Sequence, residues 1–179
     1  MSNFKRDIKK STDFYERNQK VILSNFNEFC SLYSIELDSK EIASLFDKYA
    51  GIDYILVDKK TGKMFGVAAR VNFWYKTKGS LTIRYKRKSG YPTEYEKRVS
   101  SISKNDSFYP HITIQIDDNS GTVGGGIIVQ TNALYNYIEK NKDYFISQFM
   151  ATCSEGNQYL SIPYYLIKNC GIKSKIVAA

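Results

Sequence analysis

Hydrophobic positions recur at helical spacing in the first fifty residues. Apolar side chains three and four positions apart predict an amphipathic helix over 11–33, preceded by a basic lead-in at 1–11 that is either frayed or weakly helical. Asp38 and Glu41 have the spacing of a capping box in front of a second apolar stripe. Gly51 follows this stripe, where a left-handed residue commonly ends a helix. Two helices are therefore expected before residue 51.

The pattern changes to alternation after Gly51. Strands are predicted at 52–57, 64–73 and 80–87, separated by short turns rich in lysine and glycine. Because the turns are short, the three strands are expected to pair in sequence as an antiparallel meander.

A helix is predicted from Pro92 or Thr93, since Thr93 and Glu96 have capping-box spacing. A fourth strand is expected at 111–117, and the glycine-rich stretch 119–126 is interpreted as a flexible hairpin turn. The remaining elements are predicted to be a fifth strand at 127–131, helices across 132–150, a short strand at 159–162 and a helical or irregular segment from Pro163.

This order predicts an α/β or α+β class, with a mixed central sheet that contains the antiparallel meander and is flanked by helices. At 179 residues the chain is expected to form one domain over 1–179. No apolar run approaches the roughly 20 residues that span a bilayer, and the polar start offers no signal peptide. Three well-separated cysteines are expected to be reduced thiols, so a cytoplasmic protein without a membrane partner is predicted.

The formal net charge of +8 favours a polyanionic partner such as nucleic acid, although lysine-rich faces can also be merely solvated. Chemistry is concentrated at the first predicted hairpin. Asp53 begins one strand, and Arg70 lies on the next, on the same face as Ala68 and opposite Val67 and Val71. The Arg70 guanidinium is therefore expected to leave the core, where it can reach a phosphate.

The stretch GIDYILVD followed by GKMFGVAAR, then SLTIRYKR and TEYEK, resembles the core of the PD-(D/E)XK nuclease superfamily, with its restriction-endonuclease-like fold. The resemblance covers roughly 39–117, and its motifs are short and degenerate. It implies Mg²⁺-dependent hydrolysis of phosphodiester bonds in DNA. Asp53 would be a metal ligand, Arg70 would lie at the catalytic lysine position, and Glu41 would be the acid of the first helix.

The sequence departs from this family at Ala68, which occupies the second acidic position and cannot bind metal. In some members that carboxylate has migrated to the neighbouring helix, where Glu94 is the candidate ligand and catalytic residue here. The alternatives are an ion pair of Glu94 with Arg98, four positions on, and a capping role for Glu96 or Glu41. Asp53 could likewise be a simple strand-edge acid. Without a replacement carboxylate, the chain would be a catalytically inactive nuclease fold.

Basic residues interleaved with aromatic ones follow the hairpin, a mixture that suits phosphate contacts and stacking on bases. The predicted nucleic-acid-binding residues are Lys76, Lys78, Arg84, Lys86, Arg87, Lys88 and Arg98. DNA is expected rather than RNA, and a solvated basic hairpin is the alternative. A further interpretation is a homodimeric interaction protein that buries some of the fifteen tyrosines at its interface.

Overall fold

The computed structural model describes residues 3–30, 32–35, 50–58, 61–104 and 109–178. Its helices are α1 (Asn3–Cys30), α2 (Glu94–Ser103), α3 (Thr131–Lys140), α4 (Lys142–Phe149) and α5 (Tyr164–Asn169). Its strands are β1 (Leu32–Ile35), β2 (Tyr54–Asp58), β3 (Met64–Asn72), β4 (Ser80–Lys86), β5 (Ile112–Asn119), β6 (Thr122–Gln130), β7 (Met150–Thr152), β8 (Gln158–Pro163) and β9 (Ser174–Val177). A 3₁₀ turn spans Tyr75–Thr77. Among these residues, no helix has the length and apolarity needed to cross a membrane.

The strands form two sheets. The first has the order β1-β2-β3-β5-β6-β9 and the second the order β4-β8-β7. In the first sheet β3 and β5 run parallel, and the other neighbours are antiparallel. The mixed α+β class with helices beside a mixed sheet is therefore confirmed.

The predicted three-strand meander is wrong. Strands β2 and β3 form the expected hairpin, but β4 leaves it and pairs with β8 in the second sheet, while β5 takes the place beside β3. Side chains of β5 accept hydrogen bonds from backbone amides of β4 and of the turn before it. In the predicted meander, backbone groups of β3 would have been the hydrogen-bond partners of β4. Gln115 Oε1 accepts from the amide of Thr82 at 2.9 Å, and Asp117 Oδ2 accepts from that of Gly79 at 2.9 Å.

The N-terminal prediction also needs correction. Helix α1 begins at Asn3, so the helical alternative holds for residues 3–11, but the helix ends at Cys30, before the predicted position 33. Tyr33, predicted as its last apolar position, lies in β1 opposite Val57. Helical spacing alone could not separate these two elements, because β1 is four residues long and pairs with a distant strand. The predicted second helix before Gly51, which includes Glu41, lies outside the described residues.

The glycine-rich stretch is a strand rather than a flexible turn. The turn itself is confined to Ser120 and Gly121, and β6 begins at Thr122. A Cβ built on Gly126 would lie 2.4 Å from the carbonyl oxygen of Gln115 on the neighbouring strand. Glycine is thus needed here for close approach between strands, not for flexibility.

The first sheet has an apolar core on each face. Phe14 and Ile22 of α1 pack with Val67, Ile114 and Ile128 on one face. On the other face, the core joins residues of β6, the second sheet and four helices, including Ile127, Val129, Leu81, Ile83, Leu160, Leu134 and Ile167. The alternation along β6 therefore divides the molecule into the two layers that position the site.

A line of polar side chains, which we call the polar column, runs beside the second core. It consists of Asn72, Gln115, Asp117 and Tyr164. The carboxylate of Asp117 accepts from Asn72 Nδ2 at 2.8 Å and from the Tyr164 hydroxyl at 3.2 Å. Gln115 Nε2 donates to the carbonyl of Ser80 at 2.6 Å and to the Tyr164 hydroxyl at 3.1 Å. The column therefore joins β3 and β5 to one end of the β4–β8 pair, where Ser80 lies opposite Pro163 and Tyr164 follows.

Candidate nucleic-acid interface

A cleft of about 250 Å³ opens between the β2–β3 hairpin, β4 and α2. Three residues predicted from the sequence as site residues line it together: Asp53, Arg70 and Glu94. Arg98 lies behind them and also lines the cleft. Asp53 immediately precedes β2, Arg70 lies on β3, and Glu94 is the first residue of α2. Residues up to 41 positions apart in the chain thus meet at one site.

Asp53 is held against the neighbouring strand. Its Oδ2 accepts from the amide of Ala69 at 2.7 Å, and its own amide donates to the carbonyl of Val67 at 2.8 Å. Since Tyr54 is paired with Val67, this places Asp53 beside Ala68, which also lines the cleft. Burial raises the pKa of Tyr54 to about 12, and the Asp53 charge adds to this effect.

Arg70 lies on the predicted face of β3. Val67 and Val71 enter the core that contains α1, whereas Ala68 and Arg70 line the cleft, so the alternation is confirmed. The Arg70 side chain is 36% exposed, and its guanidinium is held by hydrogen bonds on two sides. Nη1 donates to the carbonyl of Thr82, and Nη2 donates to Glu94 Oε2. Arg70 is therefore oriented by both sheets and by α2.

Glu94 is bound by two arginines. Its Oε2 accepts from Arg70 and its Oε1 from Arg98, while the hydroxyl of Tyr135 lies 3.4 Å from Oε1 and 2.8 Å from Arg98 Nη1. Burial alone would raise the pKa of Glu94, but the two guanidinium groups outweigh it and hold the pKa at about 2. The ion pair of Glu94 with Arg98 is thus confirmed, although Arg98 is 5% exposed rather than on the surface.

The start of α2 explains why Glu94 points into the cleft. Thr93 caps the helix and Glu96 completes the capping box, with Thr93 N donating to Glu96 Oε2 at 2.7 Å and Glu96 N donating to Thr93 Oγ1 at 3.3 Å. The capping interpretation of Glu96 is therefore confirmed. Because Thr93 is fully buried, the cap also anchors this helix end to the protein.

Three residues are predicted to bind Mg²⁺: Asp53, Glu94 and Glu41. The structure describes the first two. Asp53 and Glu94 line the same cleft, and Glu41 lies outside the described residues. Within the described part of the chain, no three acidic, histidine or cysteine side chains are grouped to hold a metal ion. Both oxygens of Glu94 already accept from arginines, so a cation there would have to displace a guanidinium. The described side chains therefore do not fit a preformed Mg²⁺ centre, and the metal site stays a prediction.

The predicted basic residues fall into two groups. Arg84 and Arg87 line the cleft, as does Lys97, and Lys88 lies in an adjoining pocket. The others, Lys76 and Lys78 around the 3₁₀ turn and Lys86 at the end of β4, are exposed and do not line the cleft. The cleft is thus basic mainly through arginine, which matches planar phosphate groups better than lysine does.

Sequence reasoning missed Thr82 and Tyr135. Thr82 contributes the carbonyl that accepts from Arg70, and its place on the polar face of β4 beside Arg84 was the available signal. Tyr135 holds Arg98 from 37 residues away, and only its position next to the apolar Leu134 on α3 hinted at burial.

Neither models of known protein families, nor curated proteins, nor solved structures gave a match to this chain.

Proposed function

We propose that this protein binds DNA through the sugar-phosphate backbone and has a restriction-endonuclease-like fold. The observation that carries the proposal is the charge of the cleft. Five cationic side chains line it (Arg70, Arg84, Arg87, Lys97 and Arg98), against the two carboxylates of Asp53 and Glu94. A concave site with this surplus of positive charge attracts phosphate and favours arginine-mediated contacts.

The pairing of Glu94 supports binding rather than opposing it. One carboxylate shared by two arginines leaves the group of three with a net positive charge. A guanidinium has five N–H donors, and Arg70 uses one nitrogen for Thr82 and the other terminal nitrogen for Glu94. In the proposal, its remaining N–H groups face the cleft and contact a phosphate oxygen.

The fold assignment rests on the β2–β3 hairpin and its surroundings. Asp53 and Arg70 lie at neighbouring strands of a mixed sheet, β3 pairs in parallel with β5, and the connection between those strands carries α2 with Glu94. This order matches what the resemblance to the PD-(D/E)XK superfamily implies. The proposed restriction-endonuclease-like fold thus rests on this strand order and on the positions of Asp53, Arg70 and Glu94.

The second candidate function is Mg²⁺-dependent hydrolysis of DNA. It is favoured by one observation, that Asp53, Arg70 and Glu94 line the same cleft as the resemblance requires. Ala68 beside Asp53 and the two arginines on Glu94 favour binding without hydrolysis. We therefore place recognition first and hydrolysis second.

Binding is tested by fluorescence anisotropy with labelled single- and double-stranded DNA over a range of salt concentrations. Wild type should bind with a strong salt dependence, and Arg70→Gln should weaken binding several-fold. Arg17→Gln is the matched control, because Arg17 is an exposed arginine on α1 that does not line the cleft. Absent or salt-insensitive binding by wild type would refute the proposal and leave the homodimeric interpretation, which sedimentation analysis tests.

Hydrolysis is tested on the same DNA with Mg²⁺ or Mn²⁺. Cleavage by wild type that disappears in Asp53→Asn would establish the second candidate. Binding without cleavage would leave a nuclease-like protein used for recognition.

A further inference from the structure

A second pocket adjoins the cleft at the end of β4. Arg84 and Arg87 line both cavities, while Lys88, Asn157 and Tyr159 line only the second, which measures about 510 Å³ and is open to solvent. The pairing of β4 with β8 and a bond of 3.2 Å from the Lys88 amide to Asn157 Oδ1 fix its two walls. The two cavities therefore adjoin each other on either side of the two shared arginines.

The two shared arginines carry unused hydrogen-bond donors. The Nε atoms of Arg84 and Arg87 are buried, and no described group accepts from either of them. Buried polar groups in native proteins nearly always have a partner, and leaving one without an acceptor is unfavourable. Each Nε–H thus requires an acceptor that the described chain does not supply.

The guanidinium group of Arg84 is oriented by a neighbouring aromatic ring, and its N–H donors stay available for an acceptor. Its guanidinium carbon lies 5.6 Å from the centre of the Tyr159 ring, a cation–π distance that orients the group without using its N–H donors. In the described residues, Arg84, Arg87 and Lys88 form no ion pair. The only carboxylate on this pocket is that of Glu155, whose Oε2 lies 3.4 Å from Asn157 Nδ2.

We propose that the second pocket is a further phosphate subsite for the same DNA strand, so that one single strand places consecutive phosphates in the cleft and in this pocket. The proposal rests on the proposed function and specifies its ligand as a polynucleotide rather than a free anion. A strand presents its charges in a row, which two adjoining basic cavities with two shared arginines match. The half-buried ring of Tyr159 would lie beside a base or sugar of that strand.

The Arg Nε–H signals of the ¹⁵N-labelled protein provide a direct test. On titration with a short single-stranded DNA, the signals of Arg84 and Arg87 should shift strongly, as expected when phosphates bind to the two guanidinium groups. Inorganic phosphate at the same concentration should shift them much less. Equal shifts with inorganic phosphate would mean a free-anion site and would overturn the proposal.

Salt dependence gives a second readout with a variant confined to the second pocket. In Lys88→Gln, the slope of log affinity against log salt concentration should fall in magnitude by about 0.7, the loss of one single-strand phosphate contact. Lys168→Gln, an exposed lysine on α5 that lines neither cavity, should keep the wild-type slope.

The outcomes separate this inference from the function on which it rests. If DNA binds but the Arg84 and Arg87 signals stay in place and Lys88→Gln keeps the wild-type slope, the second subsite is refuted and the DNA-binding function stands. If duplex binds and single strands do not, the single-strand assignment is refuted. If no DNA binds, both proposals are overturned.

Discussion

The carboxylate of Asp53 accepts a hydrogen bond from the backbone amide of Ala69, with 2.7 Å between Asp53 Oδ2 and Ala69 N. This bond sets the carboxylate beside the methyl group of Ala68, at the position where the resembled family has its second acid. The Asp53 carboxylate is therefore tied to the backbone and lines a cleft in which cationic side chains outnumber the carboxylates of Asp53 and Glu94. We expect the negative charge of Asp53 to weaken DNA binding, whereas metal-dependent hydrolysis would require it.

Asp53→Asn should strengthen DNA binding in the absence of divalent cations. The substitution removes a negative charge beside the phosphate position and keeps an oxygen acceptor for the Ala69 amide. We expect about a threefold gain in affinity, as for a partly exposed charge interaction. Anisotropy titrations in EDTA measure it. The same titrations in Mg²⁺ should show this gain as well, and a loss confined to Mg²⁺ would indicate that Asp53 binds metal.

Ala68→Asp should create an affinity for divalent cations, since it places a second carboxylate next to Asp53 where Ala68 lines the cleft. Calorimetric titration with Mn²⁺ measures the gain, and DNA binding in EDTA should weaken because the cleft gains negative charge. Ala151→Asp, on the exposed strand β7, is the control and should change neither property. Unaltered Mn²⁺ binding in a folded Ala68→Asp protein would argue against a metal-compatible geometry at the hairpin.

The pairing of Glu94 should appear as acid sensitivity. Its pKa is about 2 in the folded protein against 4.5 for an unperturbed glutamate, so the unfolded chain takes up the proton first as the pH falls. The stabilisation is complete above pH 4.5 and is lost as the pH falls from 4.5 towards 2. This shift corresponds to about 3 kcal/mol of unfolding free energy.

Urea unfolding at pH 6 and pH 3 measures this effect in wild type and in Glu94→Gln. The variant should be less stable at pH 6, and the difference between the two proteins should shrink at pH 3. A difference that stays constant between the two pH values would mean that the Glu94 carboxylate does not contribute through its charge.

The polar column should be sensitive to loss of Asp117. Asp117→Ala leaves Asn72 Nδ2 and the Tyr164 hydroxyl without their acceptor in a buried place, and it also removes the acceptor of the amide of Gly79, an exposed residue. We expect a loss of about 3 kcal/mol or more in unfolding free energy, because buried unsatisfied groups retain their desolvation cost. Asp118→Ala is the matched control. Within the described ranges, Asp118 accepts only from the Gly121 amide in the turn, so its loss should cost about 1 kcal/mol.

Gly126→Ala should prevent normal pairing of β5 and β6. The new methyl group would lie 2.4 Å from the Gln115 carbonyl oxygen and 3.1 Å from Ile116 Cα, both backbone atoms that cannot rotate away. We expect a loss of several kcal/mol, or failure to fold. Gly171→Ala isolates the cost of a positive φ, since its φ of 71° has open space around it, and should cost about 1 kcal/mol. Circular dichroism during thermal unfolding compares the two.

Local patterns in the sequence were sufficient to predict the parts of the site that involve residues close together along the chain. The capping box of Thr93 and Glu96, the alternation that puts Arg70 beside Ala68, and the spacing of Glu94 and Arg98 all follow from fewer than five residues of chain. Distant partners left no such signal. The departure of β4 to a second sheet depends on Gln115, 33 residues from the Thr82 amide that it binds. The strand at 122–126 could not be distinguished from a turn, because glycine serves close packing as well as flexibility.

The polar column also determines how wide the cleft can open. Apolar packing between the two sheets is non-directional and would tolerate sliding, whereas hydrogen bonds hold donor and acceptor within a few tenths of an ångström. Gln115 binds both Ser80 and Thr82, and Thr82 in turn accepts from Arg70, so one chain of contacts runs from the interior to the rim. We therefore expect the width of the cleft to change little when a ligand binds. In the proposed function, a cleft of constant width would admit a slim phosphodiester more readily than a bulky anion.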